Sequence, residues 1–404
     1  MSEDSFQWLI VICCQLIFIG FVCSRALVSI GMVAVLVSSF LYNGFGETLK
    51  KYFRQKELLF LSIFFWIVFL SGIYSEDKTS WLNWVRIKLP YIALPIAFAS
   101  KKRIEEQKFI ALLYGFIIIL FISVVAVLTN YFLNYENITE SFSRGNAIPM
   151  PYSHIRYTLM LVFAFFCSWF LLDRKKFLFS SNEKLFQIFL LVFLFVALHI
   201  LSVRSSLLAL YIGILFLLLR LIVVQKKFVV GLVSLFILTL APFIAYKFVP
   251  SLQNKIGYMS YDYNTFKSGE VRNLSDGVRI ISMQEGLEIA KQNLWLGVGA
   301  GDLKTEMNKF YNKHYPQLAD SDHKLPHNQL IWTLATTGVV GLALFLFAFS
   351  FSLLVNANYK HWLLVVLHLI LFSSFFTEAT LEEQMGTGFY LIFLLLLMNY
   401  LKKE

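Results

Sequence analysis

The chain has 404 residues, 58% hydrophobic and 15% charged, with a formal net charge of +10 and a mean hydropathy of +0.68. Soluble domains carry roughly 45–50% apolar and about 25% charged residues. The composition therefore excludes a soluble globular domain, a disordered chain, a collagen and a small disulfide scaffold, and it predicts an integral membrane protein.

At about 20 residues per span, transmembrane helices are predicted at 6–23, 26–42, 58–74, 89–99, 109–133, 155–172, 185–202, 205–224, 228–249, 330–355, 362–376 and 388–401. The expected fold is all-α, a polytopic membrane bundle of roughly twelve helices with one large folded external loop. The 42 phenylalanines show no period-two alternation, which argues against an outer-membrane barrel. Glu3 and Asp4 stand where a signal peptide would be basic, so the first apolar run reads as an uncleaved span. Cys13, Cys14, Cys23 and Cys167 all fall in apolar runs, which points to buried packing rather than to disulfides or zinc.

The fourth stretch is short and contains Pro90 and Pro95, so on hydropathy alone it could be re-entrant. Charge decides for a span. With the N-terminus in the cytoplasm, five basic clusters fall on the same side: Lys50 to Lys56, Lys101 to Lys108, Arg174 to Lys176, Lys226 and Lys227, and Lys402 and Lys403. The intervening short loops carry scattered charges such as Lys78, Arg144 and Arg204, the asymmetry of the positive-inside rule. Both termini are thus expected in the cytoplasm, with three blocks: spans over 1–249, an external loop over 250–326 and spans over 327–404. A long loop translocates regardless of its charge.

In that loop, Ser275 and Asp276 can cap a helix whose Ile280, Met283, Leu287 and Ala290 share a face. It should end near Asn293, before Trp295 and the glycines Gly297, Gly299 and Gly301, which read as a turn rather than a phosphate cradle because they follow a helix and lack dinucleotide spacing. His314, Asp320, Asp322, His323 and His327 crowd together in sequence. Pro326 interrupts the helix that would align His323 with His327, which argues against a metal site.

Chemistry on a lipid-linked substrate belongs at the outer ends of spans, where head groups sit. Arg204 lies in the polar interruption Ser202-Val203-Arg204-Ser205-Ser206, and its guanidinium matches phosphate oxygens bidentately; a snorkelling interfacial arginine is the plain alternative. Arg279 sits near the start of the predicted loop helix, where the dipole disfavours a cation that lacks another partner. His327 follows Pro326, expected in the first helical turn, so its imidazole stands at the mouth of a span as an interfacial hydrogen-bonder or a proton acceptor. Glu378, Glu382 and Glu383 in the last external loop, with Pro149, His154 and Arg156 at another span edge, can line a cavity or act as solvated caps.

Arg204 at an outer turn, then Ser275-Asp276-Gly277-Val278-Arg279 ahead of a helix and Trp295-Leu296-Gly297-Val298-Gly299-Ala300-Gly301, then Pro326-His327-Asn328-Gln329-Leu330 opening a span through Gly338 and Gly341, form an ordered set. This order resembles the bacterial O-antigen ligase and polymerase superfamily. The resemblance implies a glycosyltransferase of the bacterial inner membrane with its large loop in the periplasm. It implies a donor glycan on undecaprenyl diphosphate, an acceptor hydroxyl such as that of the lipid A core, and no metal or other cofactor. By resemblance Arg204 and Arg279 hold the diphosphate and His327 serves the acceptor hydroxyl. Arg156 and Asn328 are expected as further substrate-binding positions. Membrane lipid is an expected partner and nucleic acid is not.

The acceptor separates a ligase, favoured by the single large loop after the ninth span, from a polymerase or a protein oligosaccharyltransferase. A transporter or flippase is the alternative of another class. Transporters place ionisable groups deep in the bilayer, whereas Arg220, Lys247, His199 and His368 are isolated or near span ends.

Overall fold

The computed structural model describes residues 2–99, 103–142, 147–178, 183–267 and 275–401. Among the described residues every regular element is a helix. Lys101, Lys102, Arg144, Lys402 and Lys403, used in the charge argument, lie outside the described residues.

Among the described residues eight helical stretches are long and apolar enough to cross a bilayer: Glu3–Cys23, Arg25–Asn43, Glu106–Leu133, His154–Asp173, Glu183–Leu201, Arg204–Val223, Phe228–Phe248 and Gln329–Lys360. The other four expected spans are helical but short or divided. Trp362–Phe375 and Gln384–Tyr400 have 14 and 17 residues, or roughly 21 and 25 Å against a hydrocarbon core of about 30 Å. Ser62 separates Lys56–Leu61 from Ile63–Ser71. Pro90, which has no N–H to donate, opens Pro90–Ala99 just after Lys78–Lys88.

The chain packs as two compact units. The first comprises Met1–Phe109, Thr265–Lys360 and Phe375–Glu404. In it the first two helices form a hairpin around Ser24, which caps the second through Ala26 N–H at 3.2 Å. Gly20 and Gly31 face Val28 and Ile17 so closely that a Cβ would lie 2.6 and 2.5 Å from their atoms. Small residues let membrane helices approach in this way.

The second unit comprises Ile110–Asn264 and His361–Ser374. Its His154–Asp173 helix is apolar all round and almost wholly buried, as a central helix must be. Gly213 admits the Phe166 ring, and Ser168 donates to Gln187 Oε1 at 2.8 Å. Cys13, Cys14 and Cys167 are buried as expected, whereas Cys23 at the end of its helix is exposed.

Between the ninth and tenth expected spans the described residues are largely helical, with Pro250–Lys267, Ser275–Gln292, Leu303–His314 and a 3-10 turn at Asp320–Asp322. The Ser275–Gln292 helix ends within a residue of expectation, but its buried face is turned. Val278, Ile281, Ser282, Glu285, Gly286, Ile289 and Ala290 are buried, while Leu287 is exposed. Closest approach decides this: at Gly286 a Cβ would meet Pro326 at 2.6 Å and Ile331 at 2.9 Å, so the small residues face the span entry. Ile281, Ile289, Ala290, Leu303, Met307, Tyr311 and Leu318 join Trp332, Ala335 and Ala379 in one apolar core.

Candidate active site

The Gln329–Leu354 helix begins three residues after Pro326, later than the proline signal suggests. Asn328 is the N-cap, its Oδ1 accepting from Leu330 N at 2.9 Å and Ile331 N at 3.0 Å. Pro326 and His327 therefore precede the helix, His327 in a bend. The helix breaks at Gly338, with φ 64° and ψ −171°, a conformation open to glycine and costly for other residues. The glycine segment fills this break. Val298 N donates to Ala335 O and Gly299 N to Thr336 O, both at 2.9 Å, while Val339 N donates to Leu294 O at 2.8 Å and Val340 N to Trp295 O at 3.4 Å. Backbone groups released by the break are thus paired again, as a low-dielectric setting requires.

The same segment is tied to the end of the Ile63–Ser71 helix. Ala300 N donates to Ser71 Oγ at 3.1 Å and Gly301 N to Ser75 Oγ at 3.2 Å. Asp302 accepts from Glu76 N and Asp77 N, each at 2.7 Å. Gly297 N and Asp302 N bond Asn293 O and Gly299 O. Every backbone N–H from Gly297 to Asp302 is committed, so the glycines are a structural insert with none left to cradle phosphate. The neighbouring Asp77 carboxyl is held below its ordinary range by hydrogen bonds from the Ser80 side chain and backbone.

His327 stands where this scaffold meets the Ser275–Gln292 helix, its N–H on Ser282 Oγ at 3.3 Å. Its Nδ1 is buried, makes no aligned hydrogen bond among the described residues and faces Glu378 Oε2 at 3.4 Å. The two side chains are 23% and 13% exposed, a half-enclosed imidazole–carboxylate pair. Arg279 precedes Ser282 by one helical turn, which puts their Cβ atoms about 5–6 Å apart. No hydrogen bond or ion pair to its half-buried guanidinium occurs among the described residues. Within the first unit His327 thus lies between Glu378 and the helix that carries Arg279 one turn before Ser282, with Asn328 as the next residue.

Arg204 and Arg156 belong to the second unit. Arg204 is the first residue of the Arg204–Val223 helix, after a turn in which Ser202 has φ 52°. Arg156 lies in the first turn of His154–Asp173 and is 6% exposed. Thr158 and Ser206, two residues beyond each arginine, hydrogen-bond through their hydroxyls. Both arginines therefore sit at the same end of this unit. Two cations at helix N-termini, where the dipole is also positive, favour an anionic occupant.

The sequence cluster of histidines and aspartates disperses. His314 Nδ1 lies 3.0 Å from Glu285 Oε2. His323 stacks on Tyr311 at 4.5 Å and approaches Asn308 Oδ1 at 3.2 Å. Burial pushes the Tyr311 phenol above its ordinary range, keeping it a neutral donor to Lys324 O at 3.1 Å. Among the described residues no three of His, Cys, Asp and Glu converge.

The loop that carries Glu378, Glu382 and Glu383 departs most from a row of solvated carboxylates. Glu383 is half-buried beside Arg25 at 3.9 Å, but Glu382 is buried and pairs with Lys88 at 2.7 Å, their side chains 5% and 3% exposed. Sequence reasoning missed Lys88. A lysine bordering the apolar run 89–99 was the available signal, since charge at such a place calls for a partner.

None of the curated proteins matches the chain. Residues 189–346 match the family described as O-Antigen ligase, a segment that contains Arg204, Arg279 and His327, and this match supports the resemblance to the O-antigen ligase and polymerase superfamily.

Proposed function

We propose that the protein is a ligase-like glycosyltransferase that moves a glycan from undecaprenyl diphosphate to an acceptor hydroxyl, with the lipid A core as acceptor, at the periplasmic face of the inner membrane. The observation that carries the reading is the half-enclosed His327 imidazole, 3.4 Å from Glu378, beside the helix that bears Arg279. Members of the matched family are membrane glycosyltransferase-like enzymes, and the long apolar helices agree with a multi-pass protein.

A carboxylate beside Nδ1 favours the tautomer with its proton there and leaves Nε2 free to accept one. Nε2 takes the acceptor hydroxyl's proton as that oxygen attacks the anomeric carbon. The bond from the anomeric carbon to the diphosphate oxygen breaks, and undecaprenyl diphosphate leaves with the electron pair. Attack opposite the leaving group inverts the anomeric configuration. Arg279 binds the diphosphate and stabilises its developing charge, and Glu378 stabilises the imidazolium. Arg204 keeps the phosphate role that the resemblance implies, and Arg156 remains a substrate-binding candidate, each at its own helix end. Guanidinium groups in that role make turnover independent of added divalent ions.

The test uses purified protein, the carrier-linked glycan and one acceptor at a time: lipid A core, a second carrier-linked repeat, or a serine-containing peptide, with and without chelator. Transfer to the lipid A core with release of undecaprenyl diphosphate is the expected result. Lengthening on the carrier alone would move the protein to the polymerases. Carrier translocation without any covalent product would overturn the reading.

A further inference from the structure

The first unit buries a charged network that the transfer chemistry does not use. Lys88 Nζ donates to Glu382 Oε1 at 2.7 Å and to Leu381 O at 2.8 Å, and it lies 5.8 Å from the Tyr91 ring and 5.9 Å from the Trp332 ring. Gln329, fully buried, donates from Nε2 to Glu382 Oε1 at 2.6 Å and accepts at Oε1 from Leu381 N at 2.9 Å. Thr387 Oγ1 also donates to Leu381 O at 2.9 Å. Residue 381 is therefore gripped by its N–H and its carbonyl, and residue 382 by its carboxylate.

A buried ion pair of this kind is poorly explained by stability, because desolvating both charges costs as much as their attraction returns, and apolar residues of like volume often do as well. What it supplies is direction. Gln329 opens the helix whose preceding turn carries His327, and the 3-10 turn Thr380–Glu382 follows Glu378 closely. One network thus joins the two segments that bear the imidazole and its carboxylate.

We propose that Lys88, Glu382 and Gln329 are positioning residues that set the approach of Glu378 to His327. The inference rests on the reading of that pair as the proton-transfer pair, so its test carries one readout that does not need turnover. Lys88→Met combined with Glu382→Met removes the pair without stranding a charge, and Gln329→Met loosens the grip while leaving the ion pair in place. In folded, monodisperse protein, kcat should fall about 10- to 100-fold, the scale of an ångström's misplacement, with the donor KM unchanged. The rate at which diethyl pyrocarbonate modifies His327, followed by peptide mass spectrometry, should rise severalfold as the imidazole is released.

Wild-type kcat and wild-type His327 reactivity in either folded variant would overturn the proposal. If the double variant fails to fold, Gln329→Met decides by the same two readouts. If wild-type protein transfers no glycan at all, the proposed function fails separately, and His327 reactivity still tells whether the network positions the imidazole.

Discussion

The pairing of His327 with Glu378 divides what a sequence can and cannot show. His327 was legible because Pro326-His327-Asn328-Gln329-Leu330 marks the start of a span, and an imidazole there needs a reason. Glu378 was not, because nothing local separates it from Glu382 and Glu383. Only the fold points one carboxylate at His327, one at Lys88 and one at the exposed Arg25. Two groups that share one proton transfer should lose function non-additively. His327→Ala should lower transfer about 10²- to 10⁴-fold, the usual contribution of a general base. Glu378→Gln should cost less, and the combined variant should be no slower than His327→Ala alone. Rates in membranes matched for protein content check this, and additive losses would separate Glu378 from the imidazole's work.

At the scale of elements, hydropathy reads composition and is blind to continuity. It marked 330–355 as one span, yet the helix breaks at Gly338 because a distant glycine segment supplies the hydrogen bonds that the break gives up. The turn at Gly297 to Gly301 was legible from its glycines, but its insertion into a helix was not, since the partner lies some forty residues away on the expected chain course. Likewise the loop helix was found by its period, and its buried face was misjudged because Ser282 and Gly286 bury by smallness rather than by hydrophobicity. The insert makes Gly338 a demanding position: a Cβ there would lie 2.2 Å from the Trp295 carbonyl at φ +64°. Gly338→Ala should destabilise by at least the ~1–3 kcal/mol of a strained backbone, lowering the thermal midpoint in detergent. Gly46→Ala, in a helix where a Cβ meets nothing within 4 Å, should be neutral or stabilise by about 0.5–1 kcal/mol. Equal midpoints for the two variants would show that the insert contributes little to stability.

For the whole molecule, the proposed function makes orientation decisive, because on that reading an undecaprenyl-linked glycan awaiting transfer to lipid A core is reached only from the periplasm. The alternation of basic clusters predicts the loop that precedes His327 outside and the bends near Lys227 and Tyr359 inside. Packing follows a different division, into two compact units that interleave along the chain, which charge and hydropathy do not reveal. The orientation can be read with single cysteines in a background where Cys13, Cys14, Cys23 and Cys167 are replaced by alanine. Ser321, Lys227 and Tyr359 are exposed, so each can report. A membrane-impermeant maleimide applied to intact spheroplasts should label Ser321→Cys, while Lys227→Cys and Tyr359→Cys should react only after permeabilisation. The reverse pattern would put His327 and Glu378 at the cytoplasmic surface. Transfer to an acceptor in the periplasm would then be impossible for this pair, whatever the imidazole's geometry allowed.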